Sequence, residues 1–405
     1  MSDQPTASPP PPPASSHRGL VFATLVLCAA FGEVATGLLA PAMPTLGLVY
    51  QKAPSTVQLT ILSFAVMFAV GQLLFGPLSD RSGRRSALLI GAVLTLAGSI
   101  GASLANGIED IIVYRAVQGF GAASGYVIAR AMVRDIYGVK GAASAMALMF
   151  ALMAASFLAA PLAGGVLLDF AGWRGGFLLA AVAASIWLLS TIFILPETRP
   201  IAPAASVRPI HLVYLGLFRD RAFWSYMATH SIAYGGLYCF IAGAPYLFIQ
   251  GHGLAPANYG AIAATVMSGF LIGSLVSRYA NPKWGMPRVI MSSLVIMLGA
   301  SVLAAILERA GFLPRSVIVG IELAYFFGAG LLAPNTAAGV MMSHPQAVGA
   351  AAAALGFVQM CIAGSMALLQ GVIYDGTPFP MVGVQAALSL MALAAWRWLS
   401  RKEAS

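Results

Sequence analysis

Glu33 stands near the middle of a long apolar run, in Ala-Ala-Phe-Gly-Glu33-Val-Ala-Thr-Gly-Leu-Leu-Ala-Pro-Ala-Met-Pro44. A charged side chain at bilayer depth costs at least about 2.5–3.5 kcal/mol, so an acid kept there usually faces a polar cavity and binds protons or cations. Its plainer alternative is a protonated Glu that bonds a neighbouring helix as packing glue. Arg115, in Arg115-Ala-Val-Gln118-Gly119-Phe-Gly121-Ala-Ala, is a second charge inside an apolar run. A guanidinium does not titrate, so it can only pair, hydrogen-bond or bias a nearby acid. It sits close enough to the end of its run that snorkelling to the interface is the competing reading. Glu322 and His230 are further ionisable residues inside apolar runs. Glu322 lies in the outer third of its run, where it would face either lipid headgroups or a helix neighbour. Glu33, Arg115 and Glu322 are the candidates for proton coupling.

A different constellation, Gly76-Pro-Leu-Ser-Asp80-Arg81-Ser-Gly83-Arg84-Arg85, lies between two apolar runs. Four charges crowd a very short connection, and Gly76 and Gly83 allow close approach or unusual dihedrals. Arginines after a span also serve as a plain topology signal. Ala160-Pro161-Leu-Ala-Gly164-Gly165 is another punctuated stretch. Pro161 frees a carbonyl and the glycines permit tight helix packing, although an ordinary proline kink would look the same.

The elements that hold these residues follow from composition. Of 405 residues, 59% are hydrophobic and 9% charged, against roughly 25% charged in soluble domains. The chain is therefore expected to be an all-α integral membrane protein. Twelve apolar runs can be drawn: Leu20–Leu46, Val57–Leu78, Ala87–Leu104, Ile111–Met132, Ala142–Leu168, Phe177–Leu195, Phe223–Phe248, Tyr259–Val276, Val289–Leu307, Val317–Met342, Val348–Ile373 and Pro380–Leu399. Their lengths suit helices, which need about 20 residues to span, rather than barrel strands of about 10.

The longest link, Pro196–Arg221, divides them six plus six. The expected organisation is a cytoplasmic tail (1–18, disordered and Pro-rich), a six-helix bundle (19–195), a cytoplasmic linker (196–221), a second six-helix bundle (222–399) and a short tail (400–405). With both termini cytoplasmic, the opposite side keeps only Lys52, Arg174, Arg309 and Arg315 of the 22 Lys and Arg. Positive charge on the inside thus sets the orientation and accounts for the net charge of +9 without nucleic acid. Gly273-Ser-Leu-Val-Ser-Arg278 and Gly285-Met-Pro-Arg288 faintly echo the Gly76–Arg85 loop at the corresponding place in the second half. Such repeats place a substrate at their interface near mid-membrane.

Cys28, Cys239 and Cys361 lie inside apolar runs and read as buried hydrophobes, with no disulfide framework or metal spacing. Met1–Ser16 lacks the basic-then-apolar pattern of a cleavable signal peptide. No phosphate-binding loop, nucleophile elbow or zinc spacing is present, so neither a cofactor, a metal nor an enzymatic activity is expected. Tyr234, Tyr238, Phe240, Tyr325, Phe326 and Phe327 offer aromatic surface, most of which in such helices packs or sits in interfacial belts. The candidate substrate set is Gln118, Tyr234, Tyr238, Phe240, Tyr325 and Asn335.

Together Gly76–Arg85, Arg115–Ala123, Arg134-Asp-Ile-Tyr137, Ala160–Gly165, Gly172-Trp-Arg174, Leu195-Pro-Glu-Thr-Arg199 and Ala333-Pro-Asn335 resemble the major facilitator superfamily. The resemblance is strongest to its drug:proton antiporter branch and the bicyclomycin/chloramphenicol-resistance (Bcr/CflA) subfamily. It covers nearly the whole chain.

It implies two pseudo-symmetric six-helix bundles that rock to alternate access, and efflux of small amphipathic compounds in exchange for protons across a bacterial inner membrane. It further implies a cytoplasmic gate at Gly76, Asp80, Arg81, Gly83, Arg84 and Arg85, a proton path near Arg115 and Gln118, and an antiporter signature at Pro161, Gly164 and Gly165. The subfamily usually carries an Asp four residues before the first Pro of Pro-x-x-Pro in helix 1, where this chain has Gly37. Glu33, one turn earlier and about 6 Å along the same face, is expected to replace it, with Glu322 as the fallback. A symporter or facilitator for a nutrient or metabolite uses the same fold and stays open. A monomer is expected, since the loops leave no large soluble interface.

Overall fold

The computed structural model describes residues 15–198, 216–217, 219–344 and 347–400. Twelve helices among them are long and apolar enough to cross a membrane: α1 Arg18–Val49, α2 Pro54–Ser82, α3 Arg84–Ser103, α4 Ile108–Gly138, α5 Ser144–Ala171, α6 Arg174–Phe193, α7 Arg221–Gly251, α8 Pro256–Trp284, α9 Met286–Arg309, α10 Arg315–Ser343, α11 Val348–Ile373 and α12 Phe379–Trp398. No strand occurs among the described residues. Half of the helices, α1, α2, α4, α7, α8 and α9, outlast their apolar runs by a turn or more, because polar ends such as Arg134 on α4 and Arg278 on α8 continue the helix. The first helix begins at Ser15, inside the expected tail. The expected linker 196–221 falls mostly outside the described residues, as does nearly all of the tail 400–405.

Sequence chemistry explains the breaks. Pro41 and Pro44 tighten α1 into a 3-10 turn at Ala40–Ala42 before the helix resumes at Met43–Val49. Gly83, with φ +97°, ends α2 and starts α3 within one residue. Gly285, with φ +78°, does the same between α8 and α9. A positive φ favours glycine, so the faint repeat in the sequence marks the same junction in both halves. Gly138, at φ 62°, separates α4 from α5.

Leu178, Val182, Ile186, Leu189 and Phe193 are exposed along one side of α6. That three-to-four-residue stripe is a face for lipid. Inward, Phe31, Phe75 and Trp187 fill the first half, while Phe240, Phe326 and Tyr259 fill the second. At the end away from Gly83, one apolar cluster runs through both halves, joining Leu39, Met43, Leu46 and Ile61 to Leu237, Ile241, Leu247 and Ala367.

Candidate functional site

The two halves meet around Glu33. Its carboxyl is half-buried, and Oε1 accepts a hydrogen bond from the Tyr234 hydroxyl of α7 at 3.2 Å. Gly32 leaves room for the Phe68 ring of α2; a Cβ there would stand 2.8 Å from that ring. Phe68 in turn packs on Phe64 and on Tyr126 of α4. From the second half, Tyr234 lies between His230, stacked at 6.1 Å, and Tyr238 at 5.6 Å. His230 is held at both ring nitrogens, by Thr336 Oγ1 at 2.8 Å and Gln359 Oε1 at 3.1 Å. The result is an acid walled by aromatic rings from three helices, a surrounding suited to an amphipathic or cationic group.

Arg115 lies deeper in the first half and is fully buried at 0% exposure, so it does not snorkel. Nε donates to the Thr60 carbonyl at 3.3 Å and one terminal nitrogen to Gln118 Oε1 at 2.6 Å. Gln118 Nε2 donates on to Ser99 Oγ at 2.7 Å. The guanidinium carbon sits 4.0 Å from the Phe64 ring centre, and its other terminal nitrogen has no partner among the described residues. Tyr238 is within electrostatic reach of both Glu33 and Arg115.

Position 37 explains where the acid is. A Cβ on Gly37 would lie 2.7 Å from Ala160 Cβ and 3.2 Å from Pro161 Cδ. Real Cβ atoms do not approach so closely, so α5 packs where an aspartate side chain would need to be. The Pro161 stretch thus binds α1 directly, with Gly164 against the Leu38 backbone. Gly165 faces the other way: a Cβ there would stand 2.3 Å from the Pro256 carbonyl oxygen of α8. Gly260 of α8 returns the contact against Pro161 and Leu162. With Gln58 Nε2 donating to the Ala242 carbonyl at 2.9 Å and Tyr246 Oη to the Met43 carbonyl at 3.4 Å, this end of the molecule is closed.

The loop at the other end is tied within the first half. Arg84 donates to Asp80 Oδ1 at 2.6 Å, Ser79 Oγ at 2.6 Å and Asp135 Oδ2 at 3.3 Å. Its side chain is 9% exposed and that of Asp135 10%, whereas Asp80 is 65% exposed. The backbone N–H groups of Arg84 and Arg85 donate to the two carboxylate oxygens of Glu197, at 2.9 and 3.1 Å. Glu197 thereby caps the N-terminus of α3, where free N–H groups and the helix dipole favour an anion. The Arg85 side chain reaches the carbonyls of Thr191 and Ile192 at the end of α6. Arg81 ends α2 on its exposed side, and Gly76 faces Val127 of α4 at ordinary contact distance.

A sequence profile described as Major Facilitator Superfamily matches residues 25–369. The chain belongs to the major facilitator superfamily. A chloramphenicol resistance protein of Pseudomonas aeruginosa is 30% identical over 337 residues, covering 80% of this chain and 78% of that one. Multidrug resistance protein D of Escherichia coli K12 is 26% identical over 92% of this chain and 93% of its own. The crystal structure of a D-xylose-proton symporter superposes with a TM-score of 0.75 over 94% of this chain and 98% of that one, at 14% identity. This last likeness is one of fold, and the twelve helices form the two six-helix bundles of that fold.

Within this major facilitator fold, the remaining predicted residues fall in three places. Tyr234 and Tyr238 join Glu33 at the junction, and Gln118 joins Arg115. Phe240 is buried against Phe326, with ring centres 5.3 Å apart, and Tyr325 is buried with its hydroxyl against Gly236. Asn335 donates to Ser277 Oγ at 2.8 Å and to the Leu331 carbonyl at 2.7 Å, bracing α10 against α8. Glu322 is 2% exposed and faces a helix neighbour, not headgroups: Oε2 accepts from Gln385 Nε2 of α12 at 3.0 Å. It lies inside the second half, apart from Glu33. Sequence reading passed over Phe68, Tyr126, Gln359 and Gln385, which carry no sign of their facing. Asp135 and Glu197 sat in recognised stretches, and helix parity puts both on the same membrane side as Arg84 without giving the contacts.

Proposed function

We propose that this protein exports small amphipathic, drug-like compounds across a bacterial inner membrane in exchange for protons, as a monomer with both termini in the cytoplasm. The observation that carries this is Glu33, a half-buried carboxyl between the halves, bonded by Tyr234 of the other half at 3.2 Å. The names of the chloramphenicol and multidrug resistance relatives support the substrate class. The basic loops, Arg81, Arg84, Arg85, Arg134 and Arg278 among them, support the orientation.

An ionised Glu33 enclosed by closed helices is unfavourable, because a charge withdrawn from water must be paired. Protonation removes the charge and lets the halves close around an empty site. Loss of the proton frees the carboxylate for a substrate with a donor or positive group, which Tyr234, Tyr238 and the neighbouring rings then flank. Proton and substrate thus compete for one group, and exchange across the membrane follows when the halves rock about it. Asp80 and the Arg84 cluster serve as the cytoplasmic gate contact, and Pro161, Gly164 and Gly165 close the opposite end. Arg115 and Gln118 form a fixed polar wall beside Tyr238 that biases the acid.

Resistance and drug efflux in a pump-deficient bacterium, over a panel that includes chloramphenicol-type compounds, test the proposal. Wild-type export collapses with a protonophore, and Glu33→Gln at matched expression abolishes it. Export that survives in Glu33→Gln removes Glu33 from the mechanism. Absence of export for every compound moves the assignment to a nutrient or metabolite.

A further inference from the structure

The interior of the second half holds a polar cluster that the exchange at Glu33 does not use. Gln385 Nε2 donates both to Glu322 Oε2 at 3.0 Å and to the Gly236 carbonyl of α7 at 3.2 Å. Gln385 Oε1 is buried and has no partner among the described residues. Glu322 is 2% and Gln385 1% exposed. The titratable groups beside the carboxyl are Cys239 on α7 and Tyr325 on its own helix. α9 has none between Arg288 and Glu308, α12 none between Phe379 and Arg397, α8 only Tyr259 before Arg278, and α11 only Cys361. On α7, His230 is held by Thr336 and Gln359 and Tyr234 by Glu33, and Tyr238 lies beside Tyr234; among the described residues no salt bridge reaches Glu322.

An ionised Glu322 would be a buried charge without a counter-charge, and it would leave Gln385 Oε1 an orphan acceptor. One proton resolves both. The neutral acid keeps Oε2 as an acceptor for Gln385 Nε2, and its new O–H is the donor that Gln385 Oε1 lacks. The amide in turn holds the Gly236 carbonyl, two residues after Tyr234 and two before Tyr238 on α7.

We infer that Glu322 and Gln385 form a second proton-binding site, a neutral acid–amide pair whose proton state reaches Tyr234 through the Gly236 carbonyl. A hydronium ion from the aqueous side supplies the proton: one of its O–H bonds breaks, one O–H bond forms on the Glu322 carboxylate, and a water molecule is left. The link to transport rests on the proton exchange proposed for Glu33, whereas the existence of the site does not.

Infrared difference spectroscopy of the purified full chain in lipid nanodiscs, with exchange into heavy water, reads the site without any transported compound. At neutral pH the wild type shows a buried carboxylic-acid carbonyl band that shifts with heavy water, is lost in Glu322→Gln and persists in Glu33→Gln. Gln385→Leu moves that band to higher frequency, because the acid loses its partner. A spectrum unchanged by Glu322→Gln overturns the site, as does a band that appears only when sodium is withdrawn, which would make it a cation site. Glu322→Gln mimics the neutral acid in shape, and a thermal melt like wild type confirms its fold. For the link, Gln385→Leu shifts the pH midpoint of proton release at Glu33, read by the loss of that signal in Glu33→Gln. An unmoved midpoint overturns the link. A chain that exports no drug still gives the infrared answer, so the two failures are separable.

Discussion

The Tyr234 hydroxyl donates to Glu33 Oε1 at 3.2 Å, joining α7 of the second half to α1 of the first. Few side-chain hydrogen bonds cross between the halves, and this one ends on an acid. Tyr234→Phe keeps the ring stacked on His230 and removes only the donor. A hydrogen bond to a charged group contributes about 1.5–3 kcal/mol, so substrate affinity at a deprotonated Glu33 is expected to change by about tenfold or more. Drug-binding isotherms and drug-induced proton release in detergent measure it. Proton release equal to wild type in Tyr234→Phe would show that the contact is incidental.

Glu197 is predicted to stabilise the first half through the first turn of α3. Replacing it with Ala leaves the Arg84 and Arg85 N–H groups without their acceptor, a loss of about 1 kcal/mol by analogy with N-cap deletions. Arg84→Ala keeps the backbone bond to Glu197 but removes the side-chain bonds to Ser79, Asp80 and Asp135 and leaves the buried Asp135 without its cation, so it should lower the melting temperature more. Asp80→Asn should do least, because Asp80 is 65% exposed and such pairs contribute little. Thermal melts of the three variants give the order; Asp80→Asn as the most damaging would refute it.

How far this was legible from sequence differs by residue. The twelve spans were readable because about 20 apolar residues cannot be placed otherwise. Glu33 and Arg115 were readable because a charge in such a run has few explanations. Facing was not readable: when every side of a helix is apolar, the sequence does not separate Tyr234, at the junction, from Phe240, sealed against Phe326. Glu197 was beyond local pattern because its partners lie 112 and 113 residues earlier.

Gly165 and Gly260 should set which end of the protein is open. In the closed end, a Cβ on Gly165 meets a backbone carbonyl at 2.3 Å and one on Gly260 another at 2.7 Å. Backbone cannot move aside as a flexible side chain can, so Gly165→Ala or Gly260→Ala must part the halves there. A cysteine placed at Ser55, beside Gly371 in the same closure, should then react faster with a membrane-impermeant maleimide, in a background lacking Cys28, Cys239 and Cys361. Labelling no faster than in the glycine parent would mean that the closure accommodates a methyl group.

Moving the acid back to position 37 should fail. Gly37 and Glu33 are one turn apart on α1, so Glu33→Gln with Gly37→Asp keeps the number of carboxyl groups. Yet the aspartate Cβ would start 2.7 Å from Ala160 Cβ and 3.2 Å from Pro161 Cδ, and overpacking of this kind costs typically about 1–3 kcal/mol. The double variant is expected to export nothing above background and to melt earlier than Glu33→Gln alone. Adding Ala160→Gly removes the nearer of the two obstacles and should recover part of the melting temperature. Whether it also recovers export separates two demands on the acid. Recovered export would mean that any carboxyl on this face of α1 serves. Recovered stability without export would mean that the proton must sit where Tyr234 can reach it. The second outcome is expected, because the bond from Tyr234 ends at position 33 and the contacts of position 37 are with α5.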